Sequence, residues 1–479
     1  MNLPLIFYIV GWMLNTEALF MAPSILVSLI CGESCSSLLL SALICLGCGA
    51  ALTIRKPQNR SFTLKEGYLS AALVWIIMSL TGMLPFLLSH SISDPVEALF
   101  EAMSGFTTTG ASILSDIEAL PHGILFWRST THWIGGMGVR VFLIAIIPLF
   151  GGSKMNLMKA ESPGPSITRI LPTAKETAGA LYKIYIGMTL LQILLLLAGG
   201  MPAFDALTIT FGTAGTGGFG VLNDSCASYS AYSQIVITVF MILFSINFNA
   251  YFYLLRRKWK ESLSIEEVRW YLLIIAAATA VIAFSIRDLY SSAGQTILQA
   301  AFQTASIIST TGFSTTDFGI WPVLACEILI LLMFIGACSG STGGGFKICR
   351  IVVLVKTLSN ELLQYIYPGS VRQVRMDGKK TEDSVRRSIH VFLAAYVMIF
   401  IVSVLLISIT DHYDFLSNFT AVAATIGNIG PGLGEVGPAS NFAGYSGFSQ
   451  LVLIFDMLAG RLEIFPVLLL LYPPAWKRF

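Results

Sequence analysis

Charge is scarce in this chain. Only 12% of its 479 residues are Asp, Glu, Lys or Arg, against 55% hydrophobic, and the mean hydropathy is +0.76. That excludes an ordinary soluble globular protein, whose charged share is about a quarter. Apolar runs suited to a hydrocarbon core of roughly 30 Å, which takes about 20 residues of helix, recur at 69–88, 139–150, 235–255, 271–286 and 391–409. The second is short and needs its Gly-rich approach to span. The polar stretches are all connectors, and no soluble domain is visible. Catalytic and metal-ligating residues are scarce too. His90, His122, His132, His390 and His412 are scattered near expected membrane boundaries. The eight cysteines lack metal-ligand spacing. Cys45 and Cys48 form a CxxC inside an apolar helix, where thiols behave as small packing residues; Cys31 and Cys35 flank a turn and could pair. A membrane enzyme acting on lipid would cluster His, Asp or Cys at one face, and no such cluster stands out. The chain reads as no enzyme, with no cofactor of its own, and a net charge of +2 leaves no footprint for nucleic acid.

What is present is a strong asymmetry of basic residues. Lys and Arg crowd into connectors at 55–65, 154–183, 256–269 and 347–387. Other connectors nearly lack them: one carries Arg128, residues 201–234 carry none, and Arg287 borders a third. The positive-inside rule puts the basic connectors in the cytoplasm, together with Lys477-Arg478 at the C-terminus. Asn2 to Leu14 lacks a basic leader, and no small-x-small cleavage site stands out before Ala22-Pro23, so the start reads as a retained helix. The first two helices then form a hairpin turning outside near 32–37, with the N-terminus cytoplasmic. The basic runs 256–260 and 347–387 suit either a docked regulatory protein or anionic lipid.

The outward connectors share a motif. Thr108-Thr109-Gly110-Ala111-Ser112, Thr216-Gly217-Gly218-Phe219-Gly220, Thr310-Thr311-Gly312-Phe313-Ser314 and Asn428-Ile429-Gly430-Pro431-Gly432 each follow a short apolar segment. Each is followed by an acid: Asp116, Asp224, Asp317 or Glu435. In the second turn either Gly217 or Gly218 aligns with the others; the fourth, with Ile429 and Pro431, departs from the Thr-Thr-Gly pattern. Before each turn a full-length apolar helix gives way to one too short to span. Asp94-Pro95, Pro202 with Asp205, and Asp414 mark such starts. Pro fits the first turn of a helix and Asp its positive end. After each turn the chain is expected to span again, as at 233–255 and 448–471, with Asn247 and Asn249 hydrogen-bonding between helices.

This unit of helix, half-helix, turn and helix recurs at intervals of about a hundred residues, too long for a solenoid repeat. Irregular backbone at membrane depth is tolerated only where it is buried or lines an aqueous cavity. Four such segments therefore suggest four quarters of a ring. Half-helices aim the negative ends of their dipoles at the cavity below, which favours cations. Glycine lets a carbonyl face the axis without a Cβ in the way, and rings of carbonyls replace the hydration shell of a permeating cation. The four acids either concentrate cations at the mouth or are ordinary solvated loop acids.

Two further features mark the inner side. After the third turn the apolar helix is interrupted by Gly336-Ala337-Cys338-Ser339-Gly340-Ser341-Thr342-Gly343-Gly344-Gly345-Phe346-Lys347. Each glycine in a helix interior costs about 1 kcal/mol relative to Ala, so this stretch reads as an intramembrane loop, with a small-residue packing patch as the alternative. Gly340 to Lys347 lacks the Ser or Thr after lysine that a phosphate loop requires. The literal GxGxxG at 215–220 follows a membrane half-helix rather than a strand. Arg461 lies inside the last apolar run, where a charge faces a cavity or a partner; Asp456 and Glu463 are the nearby acids.

On these residues the whole chain resembles the Trk/Ktr/HKT superfamily of potassium transporters, and the extra N-terminal hairpin resembles the TrkH branch. The resemblance implies an all-α polytopic protein of the bacterial cytoplasmic membrane: a hairpin at 1–60, then pore repeats at 61–160, 161–262, 263–383 and 384–479 around a central pore. It implies a homodimer, and a separate nucleotide-binding regulator of the TrkA type in the cytoplasm. The filter for K+ (Rb+ or Na+ as substitutes) falls on Thr108, Thr109, Gly110, Thr216, Gly217, Gly218, Thr310, Thr311, Gly312, Asn428, Ile429 and Gly430. The gate falls on 336–347, with Gly336, Ser339, Gly340, Ser341, Thr342, Gly343, Gly344, Gly345 and Lys347, and Arg461 is a barrier beneath the filter. Glycine in all four places implies potassium, since relatives with serine in the first tend to pass sodium; a sodium-passing or sodium-coupled transporter is the alternative. Channel-like flow and symport both remain open. Arg140 departs from the apolar residue expected after Gly135-Gly136-Met137-Gly138.

Overall fold

The computed structural model describes residues 2–58, 63–138, 174–368 and 372–476. The expected span at 139–150, Arg140, the basic residues of 154–173 and the terminal Lys477-Arg478 lie outside them. The protein is a polytopic all-α membrane protein. Among the described residues six helices are long and apolar enough to cross a membrane. A bent pair, Ala231–Phe244 with Phe248–Leu255, passes the same test as a seventh.

The four half-helices are Pro95–Phe106, Ala203–Gly215, Ala293–Ile308 and Phe415–Ile426. Their starts follow from capping chemistry. Asp94 accepts from the Val96 and Glu97 N–H groups (2.7 and 3.2 Å), and Asp414 from Ser417 N–H (3.1 Å). The third half-helix uses Ser292, which accepts from Gln295 N–H at 3.2 Å; the second begins after Pro202 with Asp205 in its first turn.

The packing closes a circle in chain order. The helix after each turn is His122–Met137, Ala231–Phe244, Val323–Ile335 or Gly447–Arg461. Each packs on the half-helix of its own repeat and on that of the next, and the fourth returns to Pro95–Phe106 of the first.

These helices also break where the sequence suggested continuity. The runs 233–255 and 448–471 were expected as single spanning helices. The first bends by 94° between Phe244 and Phe248; the second stops at Arg461 and restarts at Phe465, with Glu463 and Ile464 at positive φ. The first-repeat helix ends at Gly138 (φ 54°), and the third ends at Gly336 (φ 74°), where the glycine run marks an interruption. Hydropathy alone could not show the breaks near Ser245 and Glu463, because the residues after them remain apolar. Asn247 correspondingly sits in a break and caps the next segment, accepting from Asn249 N–H at 3.0 Å. Its Nδ2 also donates to Glu267 Oε2 (3.4 Å) on the helix Glu266–Ser285, so the expected bond between helices is made, but from a break rather than from mid-helix.

The N-terminal pair Leu3–Ile30 and Ser36–Thr53 packs against the first repeat. Cys31 and Cys35 at its turn are free thiols. Glu33 in that turn accepts from the N–H groups of His122 (2.9 Å) and Gly123 (3.2 Å), and its carboxylate lies 2.8 Å from His122 Nδ1. Burial alone raises this carboxyl; the bonds from His122 and Gly123 outweigh it and hold it below the ordinary carboxylate range. A lowered folded-state pKa stabilises at pH above the unfolded value and is lost as pH falls through the folded one. Thermal unfolding in detergent is therefore expected to show a loss of stability below the carboxylate range that Glu33→Gln reduces. An identical pH profile in the variant would remove this docking role.

Candidate ion pathway

Each half-helix ends in the same hydrogen-bonded turn. The N–H groups of Thr109, Gly217, Thr311 and Ile429 reach back to the carbonyls of Ser104, Gly212, Ser306 and Ala424. Those of Thr108, Thr216, Thr310 and Asn428 reach the carbonyls of Gly105, Thr213, Ile307 and Thr425. This is the double bond pattern of a helix C-terminus whose next residue turns left-handed. Thr108, Thr216, Thr310 and Asn428 indeed have φ of 54°, 56°, 59° and 53°. Two residues later Gly110, Gly218, Gly312 and Gly430 have φ of 83°, 80°, 86° and 101°. The register of the second turn is thereby settled in the backbone: Gly218, not Gly217, matches the other three. Gly217 leaves room for the His132 ring, which lies where its Cβ would be.

The four glycines form a closed ring. A Cβ on Gly110 would stand 1.9 Å from the Gly217 carbonyl oxygen, one on Gly218 2.0 Å from that of Thr311, and one on Gly312 2.0 Å from that of Ile429. The circle closes at Gly430, whose Cβ would be 2.9 Å from the Thr109 oxygen. Each turn thus abuts the backbone of the next. On one side of the ring lies a cavity of about 140 Å³ with all four glycines in its lining.

The outer acids do not line that cavity. Asp116 accepts from Asn223 Nδ2 (3.0 Å), Asp224 from the Ser228 hydroxyl, and Asp317 from Gly319 N–H (2.9 Å). Glu435 is exposed in a short 3-10 turn. Any action of their carboxylates on that cavity would be through their field rather than by contact.

A buried ion pair braces the ring instead, and the sequence reading missed it. Arg128 Nε donates to Glu101 Oε1 at 2.6 Å, with the two side chains 2% and 0% exposed. Glu101 also accepts from Ser112 Oγ (3.0 Å) and Ile113 N–H (3.1 Å). Arg128 donates to the Gly220 carbonyl (2.9 Å), and its guanidinium lies 3.5 Å from the Phe219 ring centroid. The pair joins the residues after the first turn to those after the second. An acid inside an otherwise apolar half-helix, and one arginine in a connector poor in basic residues, were the signals available.

On the opposite side of the ring the segment 337–347 is packed directly against the turns. Gly344 N–H donates to Thr310 Oγ1 (2.7 Å), and the Thr342 hydroxyl to the Phe244 carbonyl (3.1 Å). Cys338 N–H donates to Ser245 O (3.2 Å), Phe248 N–H to Gly340 O (3.3 Å), and Lys347 Nζ to the Gly343 carbonyl. Gly336, Ser341, Thr342, Gly343, Gly344 and Lys347 are buried, and Ser339, Gly340 and Gly345 partly so. Arg461 donates to the Thr342 carbonyl (2.8 Å) and to Gly135 O. It thus holds the loop against the end of the first-repeat helix. Of the nearby acids, Glu463 pairs with Arg350 and Asp456 accepts from Ser403 Oγ (2.7 Å). Arg461 shares a cavity of about 50 Å³ with Gly343, Gly344, Gly345, Lys347 and Glu463.

A backbone ring fed by four half-helix ends, with a cavity on each side and a loop and an arginine against one of them, is an arrangement suited to a cation-transporting membrane protein. The comparisons agree. The TrkH family profile, described as a cation transport protein, matches residues 38–475. The chain is 38% identical over 421 residues to the Trk system potassium uptake protein TrkH of Escherichia coli K12, covering 86% of each. It is 33% identical over 487 residues to TrkH of Halomonas elongata, covering the whole of both. The crystal structure of the potassium transporter TrkH from Vibrio parahaemolyticus superposes over the full length of both chains, with a TM-score of 0.89 at 33% identity. This chain belongs to the TrkH family, a family of potassium transporters and not of enzymes.

Removing one partner of a buried ion pair costs about 3–5 kcal/mol, while replacing both with neutral groups of similar size costs far less. Glu101→Gln is accordingly expected to lower the thermal stability of the purified protein, and Glu101→Gln with Arg128→Met to regain much of the loss. Additive losses in a double-mutant cycle would show that the two residues do not act as a pair.

Proposed function

We propose that this chain is the membrane subunit of a potassium uptake system of the bacterial cytoplasmic membrane. In this reading K+ crosses between the two cavities through the ring at Gly110, Gly218, Gly312 and Gly430. One observation carries it: each ring glycine abuts the carbonyl-bearing backbone of the next turn, which leaves backbone oxygens as the groups available to a cation. Carbonyl oxygens held by the surrounding fold can replace water around K+, and the four half-helix C-termini bias the site toward a positive charge.

The segment 336–347 acts as the gate. It lies against the ring, fixed by hydrogen bonds that depend on a few hydroxyls and on glycine backbone. Arg461, bonded to that loop, sets a positive charge in the pathway and retards cations while the loop is in place. The hairpin at 1–60 and the repeats at 61–160, 161–262, 263–383 and 384–479 are the working units, with both termini cytoplasmic and two copies forming the transporter. A nucleotide-binding regulator of the TrkA type docks on the basic inner connectors and moves the loop.

Rubidium flux into liposomes containing the purified chain tests the filter, with K+ or Na+ as competitor. Native flux is expected to be competed by K+ and poorly by Na+. Gly110→Ser is expected to admit Na+, because its Cβ displaces the Gly217 carbonyl from a ring whose geometry sets the coordination. The same change at Gly218 or Gly312 has a similar effect, and at Gly430, where the approach is 2.9 Å, a smaller one. Selectivity unmoved by all four substitutions would place the filter elsewhere. Flux that requires Na+ would favour a sodium-coupled transporter.

The gate has its own assay. Deleting 336–345 is expected to give flux without any regulator, and Arg461→Ala to raise native flux several-fold, about 1 kcal/mol of barrier per fivefold change. A chain that conducts no better after either change would not be gated there.

A further inference from the structure

The broken helix of the third repeat leaves backbone donors at both ends of the loop without helical partners, and one carboxylate collects them. Glu267 stands at the start of the helix Glu266–Ser285 and is 3% exposed. Its Oε1 accepts from Ser339 N–H (2.6 Å), before the glycine run, and from Cys349 N–H (3.2 Å), in the first turn of the helix that resumes after it. Its Oε2 accepts from Ser339 Oγ (2.9 Å) and Asn247 Nδ2 (3.4 Å). An ionised carboxyl offers about four acceptor sites, and here four donors meet them. The donors come from both ends of the loop and from the break in the second-repeat helix. No hydroxyl or amide side chain could take all four.

Glu267 is itself held from outside the membrane region. The N–H of its neighbour Glu266 donates to Asp377 Oδ1 (2.7 Å). Asp377 lies at the turn of a small hairpin, Arg375–Met376 paired antiparallel with Lys379–Lys380. Lys356 Nζ binds both the Glu266 carboxylate (2.5 Å) and the Arg375 carbonyl (2.8 Å). The hairpin, the helix start and the loop are therefore joined through two consecutive residues.

We propose that Glu267 is the latch that keeps the 336–347 loop across the pathway, and that Asp377 of the exposed hairpin positions it. A pull on the hairpin draws Glu267 away from Ser339 and Cys349 together, which frees both loop ends in one movement. The proposal rests on the gate reading of this loop.

The test uses the full chain in liposomes without any regulator, measuring rubidium flux for native protein, Glu267→Gln, Ser339→Ala, Asp377→Asn and the 336–345 deletion. In parallel, maleimide labelling of Cys338 and Cys349 is mapped by mass spectrometry. These free thiols are buried beside the latch and become accessible only if the loop moves; a purely structural role for Glu267 would not expose them while the protein stays monodisperse. Glu267→Gln is expected to raise flux about tenfold, as losing charged hydrogen bonds to the loop implies. Ser339→Ala and Asp377→Asn raise it less, labelling rises in the same order, and K+ still outcompetes Na+. Native-like flux and labelling in Glu267→Gln, alongside a leaking deletion, would overturn the latch and leave the gate standing. A deletion that does not leak would overturn both. If Glu267→Gln is not recovered as monodisperse protein, the two milder variants decide: unchanged labelling in both overturns the proposal.

Discussion

Everything in this architecture depends on the absence of a side chain at four points. With a neighbouring carbonyl oxygen 1.9 to 2.9 Å from each missing Cβ, the four turns can only sit edge to edge, in chain order, around one axis. Contact this close buries the ends of the half-helices, and buried helix ends must have their carbonyls satisfied. The paired bonds back to Gly105, Thr213, Ile307 and Thr425, and to the carbonyls one residue earlier, do that within each turn. They do so only if the next residue takes a left-handed conformation. Three of the four residues there are threonine, a β-branched type that rarely adopts positive φ, at a cost of order 1–3 kcal/mol each. Strain of that size persists where the surroundings over-determine the backbone, as the ring of abutting turns does.

The same constraint explains which parts of the design were legible in the sequence. The turns were visible because glycine and threonine recur wherever the ring needs them, and the half-helices because Asp94, Pro202 and Asp414 mark their starts. The loop at 336–347 stood out because several glycines at membrane depth leave little other reading. The breaks near Ser245 and Glu463 did not, since a left-handed residue can be Glu or Ile when its neighbours hold it, and the flanking residues stay apolar. Asn247 and Glu463 were polar anomalies in those runs, yet their place in a break depends on packing against other repeats. Glu101 with Arg128, and Glu267 with Ser339, join residues far apart in sequence, so no local window contains both halves of either interaction.

Fourfold backbone sameness coexists with fourfold difference in what stands behind it. The first turn is braced by the Glu101–Arg128 pair. Behind the second lies His132, which contacts the Gly105 carbonyl (2.8 Å) and packs against the Phe219 ring at a tilt, with centroids 4.0 Å apart. The third uses Gln303 with Thr315 (3.2 Å), and the fourth ties Asn428 to Thr109 (3.0 Å) and to the Met457 carbonyl (2.8 Å). Four backbones must match because one axis is shared, but each brace faces a different neighbour and is free to diverge. That freedom is what a single-chain ring has over one made of identical subunits. The loop at 337–347, bonded to Thr310 on one side and Arg461 on another, takes its partners from particular repeats and so packs on the ring without needing a matching bond in every quarter. In the proposed reading, asymmetry behind a symmetric ring is the condition for one gate to serve one pore.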